Sequence, residues 1–189
     1  IVSSIIAPVK TTEEDREIVI EDMIHTKNVF DALGTGALDG GKVVLVVSAM
    51  LIGYLSMLAL LNGIFDSLIG MDLTTIVGYI FSPIAFLMGI PADEILQAGS
   101  IMGTKMVSNE FVAILDFQPI MGQVSEKTLS ILSTFLMSFA NFSSIGIIAG
   151  AVQAINGAKA KEVSSFGLKM LLVATMASIL SATLVGLFN

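Results

Sequence analysis

The chain has no cysteine and no tryptophan, a single histidine, and few charged residues for its 189-residue length. Without cysteine it forms neither disulfides nor thiolate metal sites, and His25 alone cannot build a histidine-based metal site. Only nine residues are lysine or arginine, so there is no basic stripe of the kind that binds nucleic acid. These absences exclude a disulfide framework, thiolate and histidine-based metal sites and a nucleic-acid partner.

Apolar sequence is what the chain has in excess. Hydrophobic residues make up 54% of the chain and charged residues 13%, and the mean hydropathy is +0.90. Several apolar runs approach or exceed the roughly 20 residues that a bilayer-spanning helix needs. The composition therefore predicts an all-α integral membrane protein, with the lipid bilayer as its surroundings.

The apolar pattern divides the chain into seven parts. The sequence begins in apolar residues without an initiator Met or a basic leader, which predicts the C-terminal portion of a longer protein. The predicted parts are the end of a preceding helix with a cytoplasmic connector or interfacial helix (1–42), a long transmembrane helix (43–69), an extracellular interfacial helix (70–90), a re-entrant hairpin (91–120), a broken transmembrane helix (124–155), a cytoplasmic loop (156–169) and a last transmembrane helix (170–189).

Two of these parts contain polar breaks. Residues 91–120 predict two half-length helices that meet at Ser108, Asn109 and Glu110, and residues 124–155 are interrupted between Phe139 and Gly146. Irregular backbone at membrane depth is tolerated only where protein or a cavity covers it. The breaks are therefore predicted to face each other inside the protein.

The distribution of lysine and arginine predicts the orientation of the chain. The segments 8–42 and 156–169 hold seven of the nine basic residues, whereas residues 70–104 hold none. The positive-inside rule places the first two segments in the cytoplasm and 70–104 outside. One crossing out, a hairpin and one crossing back agree with this, and the last helix then places the C-terminus outside.

The polar side chains at the breaks predict a binding site. Secondary transporters build midplane sites from discontinuous helices, and the groups of Asn109, Glu110, Asn141 and Ser144 together accept and donate hydrogen bonds to a neutral, polyhydroxylated ligand. Other interpretations remain open at this point. Glu110 can instead form an ion pair with Lys105, and Asn141 and Ser144 can merely satisfy unwound backbone. An enzyme that uses Glu110 as a general base lacks a nucleophile–base pair.

Two motifs resemble those of a known family. The segment around the first break resembles the defining motif of concentrative nucleoside transporters, G/A-x-K-x3-N-E-F-V-A followed by an aromatic residue or Met, and its residues here are Gly103, Lys105, Asn109, Glu110, Phe111, Val112 and Ala113. Ile114 departs from the last position of that motif. The second break, from Phe139 to Ser144, is similar to the family's F-A-N-x-S-S stretch, and the resemblance covers nearly the whole chain.

The resemblance implies a homotrimeric transporter built from inverted repeats, of which this chain supplies the second. It implies that Glu110, Asn141 and Ser144 hydrogen-bond the ribose hydroxyls of a nucleoside, with Phe139 nearby and Asn109 beside them. The first hairpin, with the nucleobase contacts and the main site of the coupling cation, sodium or proton, is expected in the N-terminal half. The implied function is ion-coupled nucleoside import across a bacterial inner membrane by an elevator-type movement. The alternatives are a transporter of the same architecture for another polar solute and a purely structural membrane module.

Overall fold

A computed structural model describes residues 2–6, 8, 28–155 and 157–189. Within these residues the secondary structure is helical and contains no strand, so the predicted all-α fold is confirmed. Much of the connector or interfacial helix predicted within 1–42 falls on residues 9–27, which lie outside the described residues. The helices are α1 (Val2–Ile6), α2 (Val29–Ile69), α3 (Leu73–Leu87), α4 (Ile95–Val107), α5 (Glu110–Phe117), α6 (Glu126–Leu136), α7 (Phe142–Ile155) and α8 (Gly157–Leu187).

The long helix α2 begins earlier than the predicted residue 43. Its 41 residues extend about 60 Å at 1.5 Å per residue, well beyond a hydrocarbon core of about 30 Å. The start is set by Asn28, whose side-chain oxygen accepts a hydrogen bond from the Asp31 backbone N–H at 2.9 Å, as an N-cap does. The glycines of 34–41 therefore lie inside a helix and not in a connector.

The last helix also begins earlier than predicted. Residues 157–169 were expected to form a polar loop, but they are the first turns of α8. Alanine, lysine and glutamate are strong helix formers, and Lys159 and Glu162 form an exposed i,i+3 pair at 3.0 Å. The prediction of a loop is wrong because the polar residues of this segment form the solvated start of a helix. Both α2 and α8 are long and apolar enough to span a membrane.

The hairpin consists of α4 and α5, which meet at Ser108 and Asn109, and a short 3-10 turn over Gln118–Ile120 follows. α4 begins at Ile95 rather than directly at Pro91, and its N-cap residue Glu94 makes no side-chain capping bond to its own helix. The Glu94 carboxylate instead accepts hydrogen bonds from the Ser125 backbone N–H at 2.8 Å and the Ser125 hydroxyl at 3.0 Å. The base of the hairpin is therefore tied to the start of α6.

The broken helix consists of α6 and α7, separated by residues 137–141. The interruption was expected from Phe139 to Gly146, but residues 142–146 belong to α7. The difference has a local cause: the Asn141 side-chain oxygen accepts from the Ser144 backbone N–H at 2.8 Å, which starts a helix there. The break is shorter than predicted, and it ends at an asparagine.

A buried apolar core holds the hairpin, α3, α6 and α8 together. Each element contributes to one cluster, for example Phe81, Met102, Phe117, Phe135 and Ala182. The large apolar side chains of α2, in contrast, are mostly exposed. The hairpin and the broken helix therefore form one packed unit, and α2 lies beside it.

Glycine allows α3 and α4 to approach closely. A Cβ atom on Gly103 would lie 2.6 Å from the Gly78 backbone nitrogen, 2.8 Å from its Cα and 2.9 Å from the Thr74 carbonyl oxygen. All three neighbours are backbone atoms, which cannot rotate away. The first position of the Gly103–Ala113 motif thus has a packing reason.

We expect Gly103→Ala to destabilise the protein by about 1–3 kcal/mol, the usual effect of overpacking a well-packed site. The measurement is thermal unfolding of the complete gene product purified in detergent. Gly63→Ala is the matched control, since Gly63 lies in helix α2 and a Cβ there would have nothing within 4 Å. Equal melting temperatures for Gly103→Ala and wild type would contradict the close packing of α3 on α4.

Candidate functional site

Glu110 and Asn141 meet where the hairpin faces the broken helix. Glu110 is the first residue of α5, and Asn141 is the last residue before α7. The Asn141 side-chain Nδ2 donates a hydrogen bond to Glu110 Oε2 at 2.6 Å. The two polar breaks identified in the sequence are therefore in direct contact in the structure.

Three donors determine the orientation of the Asn141 amide. Its Oδ1 accepts from the Ser143 hydroxyl at 2.7 Å, the Ser144 backbone N–H at 2.8 Å and the Ser144 hydroxyl at 2.9 Å. A flipped amide would place its NH2 group against these donors, so the assignment of nitrogen and oxygen follows from the network. Asn141 is fully buried and presents its N–H side to Glu110.

Asn109 has the same capping geometry at the other break. Its Oδ1 accepts from the Val112 backbone N–H at 3.0 Å and so caps α5. Two half-helices thus begin beside each other, each with an asparagine cap. The positive ends of the helix dipoles favour a negative charge there, which suits the carboxylate of Glu110. The donor side of the Asn109 amide is what remains for a ligand.

The aromatic and hydroxyl candidates lie around this pair. Ser144 is buried at 6% exposure, whereas Phe139 is 71% exposed. Phe139, Asn141 and Ser144 line one side of a cavity of about 50 Å³. A second, apolar cavity of about 180 Å³ lies between Tyr54 of α2 and Ser108 and Ser143 of the breaks. Both are smaller than the roughly 300–1,000 Å³ of small-molecule pockets.

Lys105 is fully buried and does not pair with Glu110. Its amine donates to the Phe135 carbonyl oxygen and, at 2.7 Å, to the Ser138 hydroxyl, and it lies 4.1 Å from the centroid of the Phe135 ring. Ion pairs that do form within the described residues, Lys42 with Asp39 and Lys159 with Glu162, are exposed. The alternative of a Lys105–Glu110 ion pair is therefore wrong.

The sequence did not single out Ser138, which accepts from Lys105, or Ser178 on α8, whose hydroxyl contacts that of Ser138. The position of Ser138 beside the polar interruption was the sequence feature that could have indicated its role. Ser178 gave none, because serine in a helix commonly bonds to its own backbone. Across the described residues, no group of three or more acidic or histidine side chains converges to hold a metal ion.

Two half-helix starts beside buried hydrogen-bonding groups, together with helices long and apolar enough to span a membrane, are the arrangement from which secondary transporters build their sites. Comparison with known proteins identifies the family of transporters. Residues 1–186 match the family model described as "Na+ dependent nucleoside transporter C-terminus", and the chain belongs to this family. Its relatives are transporters, so the expectation that the chain is not an enzyme is confirmed.

Individual relatives agree with the family. The chain is 44% identical to an uncharacterised transporter, YutK, of Bacillus subtilis over 95% of this chain and 46% of the relative. It is 35% identical to the purine nucleoside transport protein NupG of Bacillus subtilis over 100% of this chain and 48% of the relative. A double variant of the transporter CNTnw, solved in an outward-facing state, superposes with a TM-score of 0.81 at 32% identity, covering 95% of this chain and 45% of that one. The chain spans about half the length of these relatives.

Proposed function

We propose that this chain supplies the ribose-binding half of a nucleoside transporter. The observation that carries the proposal is the hydrogen bond between Glu110 and Asn141, which joins the two motif-bearing breaks at 2.6 Å. A carboxylate can accept about four hydrogen bonds, so Glu110 retains acceptor capacity for ribose hydroxyls while it holds Asn141. Family membership and the similarity to NupG support a nucleoside as the ligand.

Asn141 and Ser144 complete the ribose contacts in this proposal. The Asn141 oxygen is occupied by three donors, so Asn141 acts on a ligand through its N–H group. The Ser144 hydroxyl gives its proton to Asn141 and has lone pairs left to accept a ribose O–H. Glu110 and Ser144 therefore accept, and Asn141 donates, which fits a vicinal diol whose hydroxyls do both.

Phe139 and Asn109 have peripheral roles in the proposed site. Phe139 lies two residues before Asn141 in the chain and is 71% exposed, and we place its ring against the nucleoside as an apolar wall. Asn109 caps α5 and contributes at most its amide N–H groups. The two cavities that border the breaks are too small for a nucleoside, which supports a site completed by the N-terminal half, including the nucleobase contacts and the main cation site.

The proposed transport cycle moves the packed unit of hairpin and broken helix past α2. α2 contacts α7 where Gly146 receives the Tyr54 ring, so closely that a Cβ on Gly146 would lie 2.1 Å from a ring carbon. The exposed apolar side chains of α2 suit a scaffold helix that contacts lipid and the other subunits of a homotrimer. An inward gradient of sodium or protons drives import, and the C-terminus of the chain lies outside a bacterial inner membrane.

The test is uptake of labelled uridine and adenosine by the complete gene product in cells without nucleoside transporters of their own. Nucleosides should compete, and 2′- or 3′-deoxy analogues should compete about tenfold or more weakly, because one hydrogen bond to a charged group contributes about 1.5–3 kcal/mol. Competition by amino acids or by free bases as strong as that by nucleosides would contradict the proposal and favour another polar solute.

A further inference from the structure

Two hydrogen bonds join the hairpin to the break between α6 and α7 at successive levels. Glu110 accepts from Asn141 at 2.6 Å, and five residues earlier Lys105 donates to Ser138 at 2.7 Å. The partners, Ser138 and Asn141, both lie in the break between α6 and α7. The position of Asn141 relative to Glu110 therefore depends on how the break is held at Ser138.

The bond from Lys105 begins a directional chain that reaches the last helix. The Ser138 hydroxyl can donate to the Phe135 carbonyl oxygen at 3.4 Å or to the Ser178 hydroxyl. The Ser178 hydroxyl lies closer to its own backbone acceptor, the Ala174 carbonyl oxygen at 2.8 Å, which favours Ser178 as the acceptor and Ser138 as the donor in their contact. Ser138 in turn accepts from Lys105. The favoured order of donation is Lys105, Ser138, Ser178 and Ala174, and these contacts link α4, the break and α8.

The surroundings of the Lys105 amine suit a positive charge. Phe135, whose carbonyl oxygen accepts from the amine, lies in the last turn of α6, where the helix dipole is negative. The face of the Phe135 ring, 4.1 Å away, is also electron-rich. These groups in contact with the amine are therefore electron-rich and stabilise a positive charge.

We propose that Lys105 is a built-in cation and positioning residue for the site. Its amine neutralises the C-terminal end of α6 and, through Ser138 and Ser178, holds the break so that Asn141 meets Glu110. Lys105 touches no ligand in this scheme and acts through Glu110 and Asn141. The inference rests on the proposed nucleoside function, since the affected quantity is nucleoside affinity.

The first experiment replaces Lys105 in the complete gene product and measures uridine uptake. Lys105→Met keeps the length of the side chain and removes the amine. We expect KM to rise about tenfold or more, with a smaller change in maximal rate, because a misplacement of about 1 Å can cost a hundredfold. Discrimination against 2′- and 3′-deoxyuridine should fall at the same time. Lys169→Met, an exposed lysine that also lies near an aromatic ring, Phe166, at 5.3 Å, is the matched control and should behave as wild type.

Two further measurements separate positioning from a merely structural role. In Lys105→Ala, added ethylammonium should lower KM towards the wild-type value, whereas an equal concentration of ethanol should not. In a Glu110→Gln background, Lys105→Met should raise KM much less than it does alone, because the residue it positions is already impaired.

An unchanged KM in Lys105→Met, or fully additive effects with Glu110→Gln, would overturn the proposal. If neither Lys105 variant reaches the membrane, Ser138→Ala decides, since it removes the hydroxyl that links Lys105 to Ser178, together with the 3.4 Å contact of that hydroxyl to the Phe135 carbonyl oxygen. It should raise KM and weaken ribose discrimination, and a wild-type KM would refute the role. Absence of nucleoside uptake by the wild-type protein is a different result and refutes the proposed function itself.

Discussion

Glu110→Gln is expected to abolish most nucleoside uptake while leaving the protein folded in the membrane. Glutamine retains an oxygen that accepts from Asn141 Nδ2, so the contact at 2.6 Å survives in its neutral form. What is lost is the charge that strengthens hydrogen bonds from ribose hydroxyls. Hydrogen bonds to charged groups contribute about 1.5–3 kcal/mol, so the loss of one raises KM about 10- to 100-fold.

The measurement is the concentration dependence of uridine and adenosine uptake, normalised to the amount of protein in the membrane. Glu126→Gln is the matched control, because Glu126 is also the first residue of its helix, α6, but it is exposed and lies outside the two breaks. Its uptake should equal that of wild type. Wild-type kinetics in Glu110→Gln would remove Glu110 from the site.

The central pair of the site was predictable because polar groups are conspicuous in apolar sequence. Glu110 and Asn141 stand in segments where an unpaired polar group is costly, so their proximity followed from the need for partners. The partner of Lys105 did not follow. The nearest carboxylate in sequence is Glu110, yet Lys105 bonds to Phe135 and Ser138, some 30 residues away, and a backbone carbonyl leaves no mark in a sequence.

Helix boundaries were predictable where a side chain caps the backbone and were missed where polarity was interpreted as a loop. Asn109 marks the start of α5 as expected. Asn141 with Ser144 carries the same signal, which would have ended the predicted break five residues earlier. Residues 157–169 are polar but rich in helix formers, and a transmembrane helix can extend into water without any change in backbone hydrogen bonding.

Asn141→Asp is expected to be the most damaging conservative substitution in the chain. The new carboxylate is isosteric and keeps the three bonds from Ser143 and Ser144. It also replaces a donor by an acceptor 2.6 Å from Glu110 Oε2, and two ionised carboxylates so close repel each other strongly. Leaving a buried charge uncompensated costs about 3–5 kcal/mol, so uptake at neutral pH should fall about a hundredfold or more.

Acidification should restore part of this loss, because one shared proton re-forms a hydrogen bond between the two carboxyl groups. The measurement is the ratio of variant to wild-type uptake at pH values from about 8 down to about 5. Because the ratio is taken at each pH, any effect of pH on the wild type cancels. The ratio should rise as pH falls. Asn62→Asp is the control, since the Asn62 oxygen accepts from the Leu73 backbone N–H at 3.2 Å, a bond that a carboxylate preserves.

A double variant, in which the carboxylate and the amide exchange positions, separates the structural role of the Glu110–Asn141 contact from its role in binding. Glu110→Gln combined with Asn141→Asp re-forms the hydrogen bond with its direction reversed, because the glutamine amide donates to the new carboxylate. The melting temperature should therefore recover from the low value of Asn141→Asp alone. Uptake should remain low, since the carboxylate no longer lies at the start of α5 where it accepts from ribose. Recovery of uptake together with stability would mean that the contact, and not the position of the charge, is what transport requires.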